Sequence, residues 1–101
     1  MPKVSVLIGV YNEQFNQIDL AIKSILSQTF TDYELIIVND APENKKMKEF
    51  LTKEKKLSSK INVYTNKENI GLADSMNKAF KYSTGQYIAR MDSDDISLPT
   101  R

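Results

Sequence analysis

Two short and nearly uninterrupted apolar runs constrain the fold of this chain more than any other feature of its sequence. Residues 4–10 read VSVLIGV and residues 34–38 read ELIIV, and both are rich in β-branched side chains. Runs of this kind are typical of strands that are buried on both faces of a parallel sheet. The more mixed runs INVYTN (61–66) and QYIARM (86–91) fit flanking strands. The sequence therefore predicts a mainly parallel sheet of about four strands.

Helical periodicity fills the segments between these strands. Apolar residues that share one helix face occur at Ile18, Ala21, Ile22, Ile25 and Leu26, and again at Leu72, Met76, Ala79 and Phe80. The order β-α-β-α-β-α-β predicts a Rossmann-like α/β fold in which right-handed crossover helices flank the sheet. No internal linker or repeat interrupts the 101 residues, so we expect residues 1–101 to form a single domain.

Local signals indicate where the helices begin and end. Asn16, three residues before Asp19, forms a variant of the capping box for the first helix. Pro42, followed by Glu43, suits the first turn of the second helix. Gly85 suits the end of the third helix.

The composition excludes several classes of chemistry. The chain has no Cys and no His, which excludes a disulfide framework, a Cys/His zinc site and a Ser–His–Asp triad. Its net charge is +1, so total charge gives no argument for a nucleic-acid ligand. The apolar run after Lys3 is too short for a signal peptide, and no run reaches the length of a membrane span. We expect a cytoplasmic protein.

Residues 45–60 contain seven lysines and two glutamates. An amphipathic second helix explains this composition, with Met47, Phe50 and Leu51 facing the sheet and the lysines in solvent. Peripheral attachment to an anionic membrane, at the inner face of the membrane, is the alternative that the sequence leaves open.

Polar side chains follow each predicted strand at the point where the strand ends. They are Tyr11, Asn12, Asp40, Asn66, Asn69, Asp92, Asp94 and Asp95. Ligands of open parallel sheets bind at the carboxyl ends of the strands, so this edge is the predicted site. Separately, Asp40 also fits a helix cap, Asn69 a turn residue and Tyr11 a packing aromatic.

Three carboxylates, Asp92, Asp94 and Asp95, lie within four positions at the last strand end. Ionised carboxylates repel one another unless a cation compensates them, and oxygen ligands without His or Cys favour Mg²⁺, Mn²⁺ or Ca²⁺. An EF-hand loop starting at Asp92 is excluded, because Ile96 and Ser97 stand where it needs Asp or Asn and then Gly. A Mg²⁺ or Mn²⁺ site completed by substrate phosphates follows.

The spacing of these acids carries little weight by itself. Asp32 and Glu34 have the same acid-x-acid spacing at the start of a predicted strand, where we expect no site. Position at a strand end and the density of charge carry the prediction.

Four blocks of the sequence resemble the nucleotide-binding half of family 2 glycosyltransferases, which are inverting enzymes of the GT-A fold that use nucleotide-diphosphate sugars. The blocks read VSVLIGVYNE, AIKSILSQTFTDYELIIVND, NIGLADSMNKAF and GQYIARMDSDDISLP. The resemblance extends from about Lys3 to Arg101. Its ARMDSDD form is most similar to bacterial enzymes that build capsular or other surface polysaccharides.

The resemblance implies roles for several residues toward the donor. Tyr11 matches the aromatic residue that lies against the base, and Asp40 matches the acid that hydrogen-bonds the base, usually uracil. Asn69 and Gly71 match the Asn-x-Gly turn near the nucleotide and sugar. The family commonly has Asp-Asp-Gly-Ser where this chain has NDAP at 39–42, so the second acid is kept and the loop differs.

The resemblance also implies the metal ligands of a DxD motif. Asp94 would coordinate Mn²⁺ or Mg²⁺, while Asp92 would orient the ribose and sugar and reach the metal through water. Asp95 and Glu13 would support the site. The family's catalytic base follows the DxD motif, so we expect it after Arg101, and we expect residues 1–101 to lack both the base and the acceptor site. A nucleotide-diphosphate sugar, UDP-linked by family analogy, is the implied donor, and a saccharide or lipid-linked saccharide is the implied acceptor.

Two other classes of protein share features with this sequence. A receiver or other non-catalytic interaction domain also has a small parallel sheet, but a receiver needs an acidic pair after its first strand and Asp after its third. Here those places read YNE and TNK. A sugar nucleotidyltransferase would carry a Gly-rich phosphate loop with a basic residue after the first strand, and this chain has none.

Overall fold

The computed structural model describes residues 3–27 and 31–92, with the side chain of Asp92 excepted. The strands are β1 (Val4–Val10), β2 (Tyr33–Asn39), β3 (Ile61–Thr65) and β4 (Tyr87–Asp92), and the helices are α1 (Phe15–Leu26), α2 (Lys45–Lys55) and α3 (Leu72–Tyr82). The predicted alternation of strands and helices is confirmed. Within the described ranges, no helix combines the length and the apolar character that crossing a membrane requires.

The four strands form one parallel sheet in the order β3-β2-β1-β4. In its register, Val10 pairs with Asn39 and Gly9 pairs with Asp92, so the carboxyl ends of β1, β2 and β4 meet at one edge. The chain leaves β1 towards β2 and later returns to the other side of β1 as β4. This reversal of direction is the topological switch at which open α/β sheets bind ligands.

Side chains of the central strands alternate between two hydrophobic layers. Ile8 of β1 and Ile37 of β2 pack with α1 and α2 on one face, whereas Leu7 and Ile36 pack with α3 on the other. All four side chains are at most 1% exposed. Burial of each contributes about 1.5–3 kcal/mol. The β-branched runs are continuous because both faces of the sheet are covered.

The first two helices begin at other residues than the sequence predicts. The residue preceding α1 is Gln14, whose side chain makes no capping bond, and Asn16 lies inside the helix, where its Oδ1 accepts from the Gln17 amide at 2.9 Å. The Asn44 side chain caps α2 by accepting from the Met47 amide at 3.0 Å. Pro42 therefore precedes α2 and is not in its first turn.

The third helix also ends before the predicted residue. Its last residue is Tyr82, and Gly85 lies beyond it, where a Cβ atom would come within 2.7 Å of the backbone nitrogen of Ser5. Gly85 is required by this close approach to β1 and does not end the helix. Leu72 and Phe80 were predicted on the buried face of α3, but both are more than half exposed.

Candidate functional site

A cleft of about 280 Å³ opens at the carboxyl edge of the sheet. The cleft is lined by the end of β1 and the loop after it, by the residue after β2, and by the start of α3 and the loop before it. The lining residues are Gly9, Val10, Tyr11, Asn12, Glu13, Asp40, Asn69, Gly71, Leu72 and Ser75. The structure thus brings together six of the residues that the sequence singled out as site candidates.

Asp40 is the centre of this cleft's hydrogen-bond network. Its Oδ1 accepts from the Asn66 side-chain amide at 2.9 Å and from the Ile70 backbone amide at 2.8 Å. Its Oδ2 accepts from the Asn69 side-chain amide and from the Gly71 backbone amide, both at 2.8 Å. Since Asn44 caps α2, the helix-cap interpretation of Asp40 is wrong. The carboxylate instead ties the end of β2 to the loop that precedes α3.

The same hydrogen bonds keep Asp40 ionised. The side chain is 4% exposed, and burial alone raises the pKa of the carboxyl. Donors from Ile70, Asn66 and Gly71 outweigh burial and hold the pKa below its ordinary value. The cleft therefore contains a buried negative charge that hydrogen-bond donors stabilise.

Asn66 and Ser75 extend the network below the surface. The Asn66 side-chain amide donates to Ser75 Oγ at 3.0 Å as well as to Asp40, and its backbone amide donates to the Asn39 carbonyl at 2.9 Å. Asn66 is 4% exposed and Ser75 is fully buried. The sequence placed Asn66 at the predicted site edge but did not single out Ser75. The available signal for Ser75 was a small polar residue on the otherwise apolar face of α3.

Gly71 makes the turn between this loop and α3. Its φ of 90° lies in the left-handed region, which residues with a Cβ adopt at a cost. No heavy atom lies within 4 Å of the place that a Cβ would occupy, so conformation and not space requires glycine here. With this turn, the Gly71 amide points at Asp40 and α3 begins at the cleft.

Tyr11 and Glu13 line the cleft from the loop that follows β1. Tyr11 is 48% exposed, which disfavours its interpretation as a packing residue. Its backbone amide donates to Glu13 Oε1 at 2.7 Å, and this bond fixes the turn after β1. An exposed aromatic side chain at the mouth of the cleft is available for stacking on a flat ligand.

The predicted metal ligands lie at or beyond the limit of the described residues. Asp92 ends β4 beside Gly9, which places its backbone at the cleft edge. Asp94 and Asp95 lie outside the described residues. Within 3–27 and 31–92, no three Asp, Glu, His or Cys side chains come close enough together to hold a metal ion. The metal site stays a prediction.

The other acid-x-acid match lies at the opposite edge of the sheet. Glu34 Oε2 accepts from Ser5 Oγ at 2.6 Å, and from the backbone amide and hydroxyl of Thr84 at 2.6 and 3.0 Å. These bonds join the loop before β4 to the amino ends of β1 and β2. Glu34 therefore has a structural role far from the cleft.

Residues 5–101 match the family model described as Glycosyl transferase family 2. The chain is 41% identical over 100 residues to the uncharacterized glycosyltransferase MJ1057 of Methanocaldococcus jannaschii, covering 99% of this chain and 34% of that protein. It is 35% identical over 101 residues to an Escherichia coli protein described as UDP-Glc:alpha-D-GlcNAc-diphosphoundecaprenol beta-1,3-glucosyltransferase WfgD, covering 97% of this chain and 37% of that protein.

A solved structure has the same fold. The mannosyltransferase PcManGT from Pyrobaculum calidifontis, in complex with GDP-Man and Mn²⁺, superposes with a TM-score of 0.83 at 21% identity over 94% of this chain and 28% of that one. The chain spans about a third of the length of MJ1057 and of WfgD. The family match, the relatives and the fold agree that this chain belongs to glycosyl transferase family 2, with the α/β fold of the amino-terminal half of a GT-A enzyme.

Proposed function

We propose that the cleft binds the nucleotide diphosphate of a sugar donor, and that the chain is the donor-binding part of an inverting glycosyltransferase of bacterial surface-polysaccharide synthesis. The observation that carries this proposal is the Asp40 network, which holds the Asn69–Gly71 turn against the end of β2 in a cleft that the exposed Tyr11 also lines. The donor is UDP-linked, and the acceptor is a saccharide or a lipid-linked saccharide.

Tyr11, Asp40 and the amino end of α3 each contribute to binding such a donor. The exposed Tyr11 ring supplies an apolar face for the base. The buried Asp40 carboxylate contacts the base and holds the loop in place. It already accepts four hydrogen bonds from the loop, so a hydrogen bond from the base adds to these four or replaces one of them. The amino end of α3 lines the cleft, and its backbone N–H groups and dipole favour phosphate oxygens.

The carboxylates at and after the end of the last strand are suitable ligands for a divalent cation. Asp92 ends β4 beside Gly9 at the cleft edge, and Asp94 follows it in sequence. Carboxylate oxygens without His or Cys suit Mn²⁺ or Mg²⁺. Asp92 and Asp94 would hold the ion, with Asp95 and Glu13 in support. When bound, the ion supplies positive charge to the diphosphate leaving group.

The relatives support the donor and acceptor classes. WfgD is described as using UDP-Glc and a diphosphoundecaprenol-linked sugar, which favours a UDP-linked donor and a lipid-linked acceptor. PcManGT is described in complex with GDP-Man and Mn²⁺. GDP is therefore the comparison nucleotide in any binding experiment, and Mn²⁺ is the first ion to use.

Calorimetric titration of the chain with UDP, GDP and uridine, each with Mn²⁺ and with EDTA, tests the proposal. We expect UDP to bind more tightly than GDP and more tightly with Mn²⁺ than with EDTA, while uridine shows no metal dependence. Equal UDP affinity with Mn²⁺ and EDTA would overturn the metal–diphosphate arrangement. Absence of binding by both UDP and GDP would overturn the proposal that this cleft holds the nucleotide of the donor.

A further inference from the structure

The outer surface of α2 is strongly basic in a chain that is nearly neutral. Within residues 45–56 six lysine side chains are exposed: Lys45, Lys46, Lys48, Lys53, Lys55 and Lys56. We call this surface the α2 lysine face. The net charge of the whole chain is only +1, so positive charge is concentrated on one helix. Segregation of charge, and not the total, is what a docking surface requires.

The fold leaves little negative charge on this face. The sequence places Glu49 and Glu54 among these lysines, but Glu54 is 6% exposed and faces Asp19 of the neighbouring helix α1. Burial, followed by the hydrogen bond and charge of Asp19, raises the pKa of Glu54 to about 7. Glu49 is the acid of α2 that stays in solvent. The sequence count of two acids therefore overstates the negative charge of the surface.

Exposed apolar side chains accompany the lysines. Leu57, directly after Lys56, is 47% exposed, and Leu20 on the solvent side of α1 is 53% exposed. α1 and α2 pack side by side on the same face of the sheet. Exposed lysines and exposed leucines on one helical layer are a combination that suits a lipid surface, where headgroups meet acyl chains.

We propose that the α2 lysine face docks this protein on an anionic membrane surface. Charge complementarity with acidic phospholipid headgroups carries the proposal, because juxtaposed lysines add their attraction within a Debye length of the membrane. A duplex nucleic acid is disfavoured by the exposed leucines, by the near-neutral total charge and by the absence of any arginine from residues 45–60.

The position of α2 connects this surface to the cleft. Asn44, which caps α2, lines a shallow depression together with Asn69, and Asn69 also lines the donor cleft. Docking through α2 therefore brings the rim of the cleft close to the lipid surface, where a lipid-linked acceptor is held. This consequence rests on the proposed function, whereas docking itself does not.

Co-sedimentation with vesicles tests the proposal. The probes are mixed phosphatidylglycerol and phosphatidylcholine vesicles, pure phosphatidylcholine vesicles, and duplex DNA. The test variant is Lys46→Gln/Lys53→Gln/Lys55→Gln. The matched control is Lys3→Gln/Lys78→Gln/Lys81→Gln, whose lysines lie off this face. Either triple substitution lowers the net charge from +1 to −2, so the two variants differ only in where charge is lost. Circular dichroism verifies that both variants fold.

We expect the unmodified chain to bind the anionic vesicles and not the neutral ones, with binding that weakens as salt is added. The test variant should lose about tenfold or more in partition coefficient, and the control variant less than about threefold. Equal losses in the two variants, no binding to anionic vesicles, or tighter binding to duplex DNA would each overturn the proposal. UDP binding is measured in a separate titration without vesicles. A failure of nucleotide binding can therefore be distinguished from a failure of membrane docking.

Discussion

The side-chain amide of Asn69 lies 2.8 Å from Asp40 Oδ2 and 3.1 Å from the Asp40 carbonyl oxygen, although 29 positions separate the two residues. One amide group thus contacts both the side chain and the backbone of the residue that follows β2. This contact determines where the loop before α3 crosses the sheet edge. The shape of the cleft depends on it.

Replacement of Asp40 should damage both the loop and the proposed nucleotide site. Asp40→Ala leaves the amides of Ile70 and Gly71 without their acceptor, so we expect unfolding free energy to fall by about 1–3 kcal/mol. UDP affinity should fall by a similar amount, with and without Mn²⁺. Denaturant titration and calorimetry measure the two effects. Asp40→Asn should not restore them, because its amide would face donors.

The control for this prediction is Asp32→Asn, an exposed acid at the amino edge of the sheet. Amide hydrogen exchange at Ile70 and Gly71 adds a direct readout of loop opening. Faster exchange in Asp40→Ala and unchanged exchange in Asp32→Asn are the expected results. Unchanged exchange in both variants would show that the Asp40 bonds do not hold the loop.

Gly71 is required for its backbone conformation. Gly71→Ala should destabilise the fold by about 1–2 kcal/mol, since φ near 90° is unfavourable for a residue with a Cβ. Gly85→Ala should also destabilise it, but by steric conflict with the backbone of Ser5. Crystal structures of the two variants distinguish the causes. A Gly71→Ala variant as stable as the parent chain would contradict the first explanation.

Stability should fall as the pH rises through the range in which Glu54 ionises. The pKa of Glu54 is raised from 4.5 to about 7, so between these values the folded chain binds more protons than the unfolded chain. The stabilising contribution is fully present below about 4.5 and is lost as the pH rises through about 7. We expect a loss of about 1–3 kcal/mol. Urea titration at a series of pH values measures it.

Glu54→Gln should flatten this part of the pH profile, whereas Glu49→Gln on the exposed side of the same helix should leave it unchanged. Acid destabilisation has a different origin. Hydrogen bonds lower the pKa of Glu34 and Asp40 against the opposing effect of burial, so their contributions are present above about 4 and are lost at lower pH. A profile that rises from pH 5 to pH 7 in the parent chain would refute the assignment to Glu54.

The metal prediction is tested by making the same Asp-to-Asn substitution at the predicted metal ligand Asp94 and at Asp32. Asp94→Asn should abolish the metal-dependent part of UDP binding, because it removes a charged oxygen ligand. Under the proposed function it should also lower transferase activity by orders of magnitude, through lost stabilisation of the leaving group. Asp32→Asn should change neither quantity. Calorimetry with and without Mn²⁺ measures the binding, and similar behaviour of the two variants would show that Asp94 is not a ligand.

The sequence by itself determined the order of the elements and the edge of the sheet at which the candidate site lies. The runs in β1 and β2 could be interpreted locally, because continuous β-branched residues are stable only where both faces are covered. Tyr11, Asp40, Asn69 and Gly71 could be assigned to one edge, because parallel strands end together. The family resemblance, which was confirmed, could also be recognised from the sequence alone. It rests on blocks of local sequence in a fixed order.

Only the tertiary structure decided what these side chains contact. Local signals equally favoured Asp40 as the cap of α2, but distant amides from Asn66 to Gly71 donate four hydrogen bonds to its carboxylate. Glu54 appeared as one more charge in a lysine-rich helix, yet packing against α1 buries it beside Asp19. Both outcomes depend on contacts between residues far apart in sequence, and the free energy of such contacts is not encoded in local periodicity or spacing.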